Sequence, residues 1–367
     1  MLASKTDFVG LDGVAHLAGG GETPFLRQHF AAVERFATDK SGGMVGRERF
    51  CTVRDRVCQR LAAMLHMEPG DIALLGSASE AIGQVVSSVA WQPGDNVVVG
   101  ATEFPSGVFG LARLRNLGVE VRIIPARDWV LLEDDLVAAC DAHTRLVYAS
   151  HVSYLTGQRL DVARLSAGVH AAGAALLLDA THALGVVPVP GDQADFVVSS
   201  GYKWLLATHM GILSWNRRRQ PHFAPLGVGW RSGTADATPG SYVLHADAAR
   251  AEAGNPNHLD VYILDSALAY LHGLGLDQVA AHALHWGGVL RADLVRAGLP
   301  VITPEEEARR AGNICIAYPG SEALVARAAE RGVLLWGGDG RIRLSVHCYV
   351  TPDDIDRAVA TLVRDDG

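Results

Sequence analysis

A chain of 367 residues, 49% hydrophobic and 20% charged, is long enough for two domains and excludes disordered and fibrous classes. Its 32 Lys and Arg against 40 Asp and Glu leave a formal charge of −8, the wrong sign for a general nucleic-acid binder. No stretch approaches the ~18 uncharged apolar residues of a membrane span, and five scattered cysteines without a CxxC pair point to reduced thiols rather than a zinc cage.

Residues 1–20 lack a basic start followed by an apolar run, so a cytoplasmic location is expected rather than export. From about residue 70 short apolar runs alternate with helical patterns. Strands are expected over Asp71–Gly76, Asn96–Ala101, Glu120–Pro125, Arg145–Val152, Ala174–Ala180, Asp195–Ser200 and Gly211–Asn216. Helices are expected over Ala78–Trp91, Pro105–Leu117, Leu132–Cys140 and Val162–Ala172. The strands are apolar throughout instead of alternating, as in a mostly parallel sheet flanked by helices and buried on both faces. After Trp230 a Gly/Pro/Thr-rich stretch, Ser232–Tyr242, leads into a helix from His258 to about Leu274 and a second helix-rich stretch to about Ala297. Strand Asn313–Ala317, helix Glu322–Glu330 and strand Arg341–Val346 follow. The expected organisation is a large α/β domain over 21–250 and a smaller α+β domain over 251–367.

Lysine is rare: Lys5, Lys40 and Lys203 are the only three among the 32 basic residues. An amine can lose its proton where a guanidinium cannot, so each merits attention. Asp179 closes the run Leu176-Leu177-Leu178, and Lys203 follows the run that ends Ser199-Ser200-Gly201-Tyr202. Strand ends are where open α/β sheets bind ligands. A lysine there can form a Schiff base with an aldehyde cofactor, while a carboxylate keeps a pyridine nitrogen protonated. A buried Asp–Lys ion pair is the bland alternative. No GxGxxG follows any expected strand, which argues against a nicotinamide dehydrogenase.

Asp179-Ala180-Thr181-His182 resembles the Asp-x-x-Gln/His of class V aminotransferases, fold type I pyridoxal-phosphate enzymes that include cysteine desulfurases, selenocysteine lyases, kynureninases and isopenicillin-N epimerase. Ser200-Gly201-Tyr202-Lys203 resembles their Ser-x-His-Lys, with Tyr202 replacing the histidine. The resemblance spans most of the chain. It implies pyridoxal 5'-phosphate as cofactor, Lys203 as Schiff-base lysine and Asp179 as pyridinium partner. His182 is implied at the ring's phenolic oxygen, with Ser200 and Tyr202 at the phosphate. Gly76-Ser77-Ala78-Ser79-Glu80 resembles the Gly-x-Thr-Glu turn, making the Ala78 N–H and Ser79 phosphate ligands at a helix N-terminus. Phe104 resembles the kynureninases' ring-stacking aromatic, and Tyr154 stands where His-Val-Ser-Asn-x-x-Gly has asparagine. Val228-Gly229-Trp230 resembles a segment whose tryptophan reaches the neighbouring subunit's phosphate, implying a homodimer with a shared site. Residues 1–20 would lie over the active site.

Arg343, in Arg341-Ile342-Arg343-Leu344-Ser345, aligns with the family's grip on an α-carboxylate, so the substrate is expected to be a small amino acid. Arg341 reads instead as a surface strand arginine in an ion pair. Gly19-Gly20-Gly21 allows close backbone approach and positive φ over the substrate, or is a flexible loop; Arg47 lies near the pocket or precedes a helix. The stretch Gly332–Gly340, where desulfurases carry a nucleophilic cysteine, has none, and Cys315 and Cys348 read as packing residues. The expectation is β-elimination of the C–S or C–Se lyase type without a persulfide cysteine. Transamination, epimerisation and a non-catalytic binding protein are the alternatives.

Overall fold

The computed structural model describes residues 2–364. Seven strands form one sheet in the order Ile72–Leu75, Gly211–Trp215, Phe196–Ser200, Ala175–Asp179, Thr144–Ser150, Asn96–Gly100 and Glu120–Ile124. Neighbours from Phe196–Ser200 to Glu120–Ile124 are all parallel, and only Gly211–Trp215 runs against both of its neighbours. Consecutive residues such as Val97, Val98 and Val99, or Leu176, Leu177 and Leu178, are all fully buried. Alternate side chains point to opposite faces of a strand, so such runs feed two helix-covered cores, one on each side.

The parallel strands end at one edge. Gly100, Ser150, Asp179 and Ser200 therefore deliver Phe104, Tyr154, His182 and Lys203 to the same region. Ile72–Leu75 also ends there and hands over to helix Ala78–Ser88, whose N-cap Ser77 accepts from Glu80 N at 3.0 Å. Beyond the main sheet, Arg341–Ser345 pairs antiparallel with Asn313–Ala317 on one side and Trp336–Gly338 on the other. Ala15–His16 pairs in parallel with Val333–Leu334, tying the first residues to the C-terminal part.

Several expected elements change in detail. Ala78–Trp91 stops at Ser88, Leu132–Cys140 shortens to Glu133–Ala138, and Pro105–Leu117 divides into an α-helix to Ala112 and a 3-10 segment. Helices Gln28–Ser41 and Gly43–Leu65 precede the first expected element and pack on His258–Leu274. They are mostly solvent-facing, which leaves only a narrow apolar stripe, and Gly42-Gly43 punctuates them as a loop would. Arg47 lies inside the second of these helices, not before it. The Gly/Pro/Thr-rich stretch holds an exposed hairpin, Gly233–Ala235 with Tyr242–Leu244.

Candidate active site

A cavity opens at the carboxyl edge of the parallel strands. Ala78, Ser79, Phe104, Tyr154 and Asp179 line it, as do His182, Ser200, Tyr202 and Lys203. Trp230 does not: it is 64% exposed and stacks with the Arg47 guanidinium at 5.7 Å on the outer surface. Neither residue reaches this cavity from its own chain.

Lys203 is buried just past the end of Phe196–Ser200, and its Nζ lies 3.1 Å from His182 Nε2. The direction of that bond follows from the residues behind it. Ser345 Oγ donates to Asn313 Oδ1 at 2.9 Å, which turns the Asn313 amide nitrogen toward His182 Nδ1 at 3.0 Å. Nδ1 is then an acceptor and the ring proton sits on Nε2, so Nε2–H donates to Lys203 when the amine is in its uncharged form. Charge works the same way. Burial, followed by the Arg343 cation, pushes Lys203 down to about 8. Burial and then Lys203 hold His182 neutral, well below its ordinary value. The amine therefore loses its proton far more readily than a free lysine, passing to the neutral form around pH 8.

Asp179 closes its strand with each oxygen held by one donor. Thr181 N donates to Oδ1 at 2.8 Å and the Tyr148 hydroxyl to Oδ2 at 2.8 Å. Phe104 stands edge-on to Tyr154, their ring centroids 5.0 Å apart, with Lys203 Nζ 5.4 Å from the Phe104 centroid. Tyr202 stacks on His209, a further cavity residue, at 4.4 Å. Around the start of helix Ala78–Ser88, the first N–H groups have no partner within the helix and face the cavity wall. The Ser79 hydroxyl is not idle; it shares a 2.7 Å hydrogen bond with Ser106 Oγ.

Arg343 approaches from the C-terminal sheet and donates through Nη1 to the Tyr154 carbonyl at 3.1 Å, while its buried Nε has no partner. Arg341 corrects the surface reading. It is fully buried, donates to the same carbonyl at 3.3 Å, pairs with Asp339 at 3.0 Å and lies between the Tyr154 and Trp336 rings. Trp336 also covers Arg343, 4.8 Å from its centroid. The glycine turn bridges the two halves: a Cβ on Gly20 would sit 3.0 Å from Arg343 Nε, and Thr23 Oγ1 donates to the Tyr202 carbonyl at 3.0 Å. Close approach is what the turn uses; none of Gly19, Gly20 and Gly21 has a positive φ.

Residue reading missed Tyr148, Asn313, Ser106, Trp336 and His209. For two of them a signal existed. Tyr148 is fully buried in strand Thr144–Ser150, and a buried tyrosine hydroxyl needs a partner. Asn313 opens a buried strand with an amide that must be satisfied. The others meet the site only through pairing across the fold.

Residues 24–358 match the family model of aminotransferase class-V. The chain belongs to that family, whose members are pyridoxal-phosphate enzymes. A cysteine desulfurase of Cronobacter sakazakii is 28% identical over 94% of this chain and 88% of its own length. A probable cysteine desulfurase of Methanothermobacter thermautotrophicus is 27% identical over 83% and 81%. The fold is shared with an apo cysteine desulfurase from Thermococcus onnurineus, with TM-score 0.89, 19% identity and 98% and 96% coverage. It is shared equally with a cystine C–S lyase, C-DES, complexed with its product cysteine persulfide, at TM-score 0.89, 19% identity and 97% and 99% coverage.

The residues of this class-V chain fit the family's cofactor. Ser200 Oγ and Thr181 Oγ1 are buried at the cavity wall without hydrogen-bond partners, as expected of groups that a ligand satisfies. The donor set is also apt: a buried amine with a lowered pKa, a carboxylate and a helix N-terminus for a phosphate. A pH test follows. The rate at which apoprotein captures pyridoxal phosphate should rise through about pH 8 as Lys203 deprotonates. In Arg343→Ala the inflection should move to higher pH, because a cation that favours the neutral amine is gone. An inflection unmoved or displaced downward would remove Arg343 from the electrostatics of Lys203. No helix among the described residues is long and apolar enough to cross a membrane.

Proposed function

We propose that this protein is a pyridoxal-phosphate-dependent lyase that cleaves the C–S or C–Se bond of a small amino acid by β-elimination, carrying no persulfide on a cysteine of its own. The observation that carries this reading is the composition of the cavity wall. It brings together an amine, a carboxylate and a phosphate-type helix N-terminus, and no cysteine lines it. Cys58, Cys315 and Cys348 are buried elsewhere, and burial pushes the Cys315 thiol up to about 11. Cys51 is exposed on the helix Gly43–Leu65. The stretch ahead of Arg343 forms the strand Trp336–Gly338, whose indole packs on that arginine. The curated cysteine desulfurases and the C–S lyase fold neighbour support a carbon–sulfur substrate.

Bound in the cavity, pyridoxal phosphate supplies an electron-accepting ring that weakens the bonds at the substrate's Cα. The Ala78–Ser88 N-terminus, Ser79, Ser200 and Tyr202 hold its phosphate end, and Phe104 packs against one ring face. Asp179 holds the ring nitrogen, and His182 the phenolic oxygen. Arg343 grips the α-carboxylate and so fixes which Cα bond is aligned for cleavage. Lys203 in its uncharged form takes the Cα proton, a form its lowered pKa makes accessible. The overall change would take up one water, release the sulfur as a thiol, sulfide or persulfide carrying the bonding electron pair, and leave pyruvate and ammonia.

Loaded protein should be mixed with L-cysteine, L-cystine and L-selenocysteine, assaying pyruvate, ammonia, alanine and sulfane sulfur. Pyruvate and ammonia in equal amounts, retained when each of the five cysteines is changed to serine in turn, are expected. Alanine with sulfur bound to the protein, or net amino-group transfer or inversion at Cα, would overturn the reading.

A further inference from the structure

Ser150 is in register with Asp179 on the adjacent parallel strand, and Tyr148 lies two residues earlier on the same face. This diagonal placement lets a long side chain reach the end of the neighbouring strand. The Tyr148 hydroxyl meets Asp179 Oδ2 at 2.8 Å in a fully buried setting. Burial, then the Asp179 charge, push its ionisation well above the ordinary range, so the phenol stays a donor. Space for the ring comes from helix Pro105–Ala112: a Cβ on Gly107 would lie 2.3 Å from Tyr148 Cε1. The helix can lie this close only because position 107 has no side chain. A second buried carboxyl, Glu103, accepts from Ser150 N at 2.7 Å and from Ser150 Oγ. Glu103 is thus bound to Ser150, whose hydroxyl also lies beside that of Tyr148, while the Tyr148 hydroxyl donates to Asp179.

The consequence concerns orientation. A carboxylate at a strand end can rotate about χ2, and the Thr181 N–H fixes one oxygen only. The second donor removes that freedom and leaves each oxygen a further lone pair. We propose that Tyr148 is a positioning residue, which locks the Asp179 carboxylate in the orientation that meets the ring nitrogen of pyridoxal phosphate. This rests on the cofactor reading above. A tyrosine that merely satisfies its own hydroxyl would be indifferent to what the ligand carries at that ring position.

The test uses apoprotein titrated with pyridoxal phosphate and with its 1-deaza analogue, in which C–H replaces the ring nitrogen, following visible absorbance. Tyr148→Phe keeps the ring that fills the space beside Gly107. It is expected to weaken pyridoxal phosphate binding about tenfold while changing analogue binding less than about twofold. In an Asp179→Ala background, Tyr148→Phe should have no further effect on either ligand. Equal weakening of both ligands, no weakening of either, or a full additional loss in the Asp179→Ala background would overturn the proposal. Wild-type protein that captured neither ligand would instead overturn the cofactor reading, and the proposal with it.

Discussion

Lys203→Ala is expected to lower turnover by about 10⁴-fold or more, because one substitution removes both the covalent anchor and the proton carrier. No neighbouring group can take over. Lys5 is engaged with the Val14 carbonyl at 2.7 Å and with Asp354, and Lys40 lies on helix Gln28–Ser41, so neither amine lines the cavity. Arg343, pushed down to about 10 by burial, still keeps its proton at neutral pH. His182 is neutral but cannot form a Schiff base with an aldehyde. The fold should survive. Loss of Nζ leaves His182 Nε2 without its partner, which costs about 1–3 kcal/mol, but the strand and the His182–Asn313–Ser345 chain remain. Borohydride treatment followed by peptide mass analysis should find the cofactor on the peptide containing residue 203 in wild type and on none in the variant. Turnover within tenfold of wild type, or label on another peptide, would end Lys203's role.

The parts of this site that were legible before the fold share one property: they sit where a local pattern changes. Asp179 and Lys203 each follow an apolar run that is buried on both faces, and such runs announce a parallel strand and its end. Gly76 and Ser77 lie between a strand and a helix, where small polar residues serve as caps. Arg341 and Arg343 alternate in one strand with identical local signals. Their difference arises in three dimensions, from Asp339 beside Arg341 and the glycine turn at Gly20 beside Arg343. Trp230 and Arg47 are far apart in sequence and meet only on the folded surface. The same holds for Asn313, which orients His182 from the C-terminal sheet. Local pattern therefore exposes the residues that do chemistry, and tertiary pairing supplies those that aim them. Helices Gln28–Ser41 and Gly43–Leu65 escaped for another reason: their stability comes from packing on His258–Leu274, not from a strong stripe of their own.

The second large effect comes from a residue with no side chain. Gly211 opens the antiparallel strand and is in register with Leu75 on one side and Ser200 on the other, between the two segments proposed to hold the phosphate. A Cβ there would lie 2.3 Å from the carbonyl carbon and oxygen of Ser77 and 2.7 Å from its nitrogen. These are backbone atoms in a short turn, so the clash cannot be relieved by swinging a side chain. Gly211→Ala must displace Ser77, the cap of helix Ala78–Ser88, and with it the N–H groups of Ala78 and Ser79. Overpacking costs about 1–3 kcal/mol and a disrupted cap about 1 kcal/mol. A combined penalty of about 3 kcal/mol, if expressed in binding, corresponds to about 10²-fold in affinity. The expected result is about 10²-fold weaker capture of pyridoxal phosphate, with pyridoxal, which lacks the phosphate, held as in wild type. Ser77→Ala, which removes the cap without the clash, should fall between the two proteins. Equal loss for both aldehydes would mean that the damage spreads beyond the turn. Wild-type affinity for the phosphorylated form would show that the start of helix Ala78–Ser88 is not where the phosphate rests.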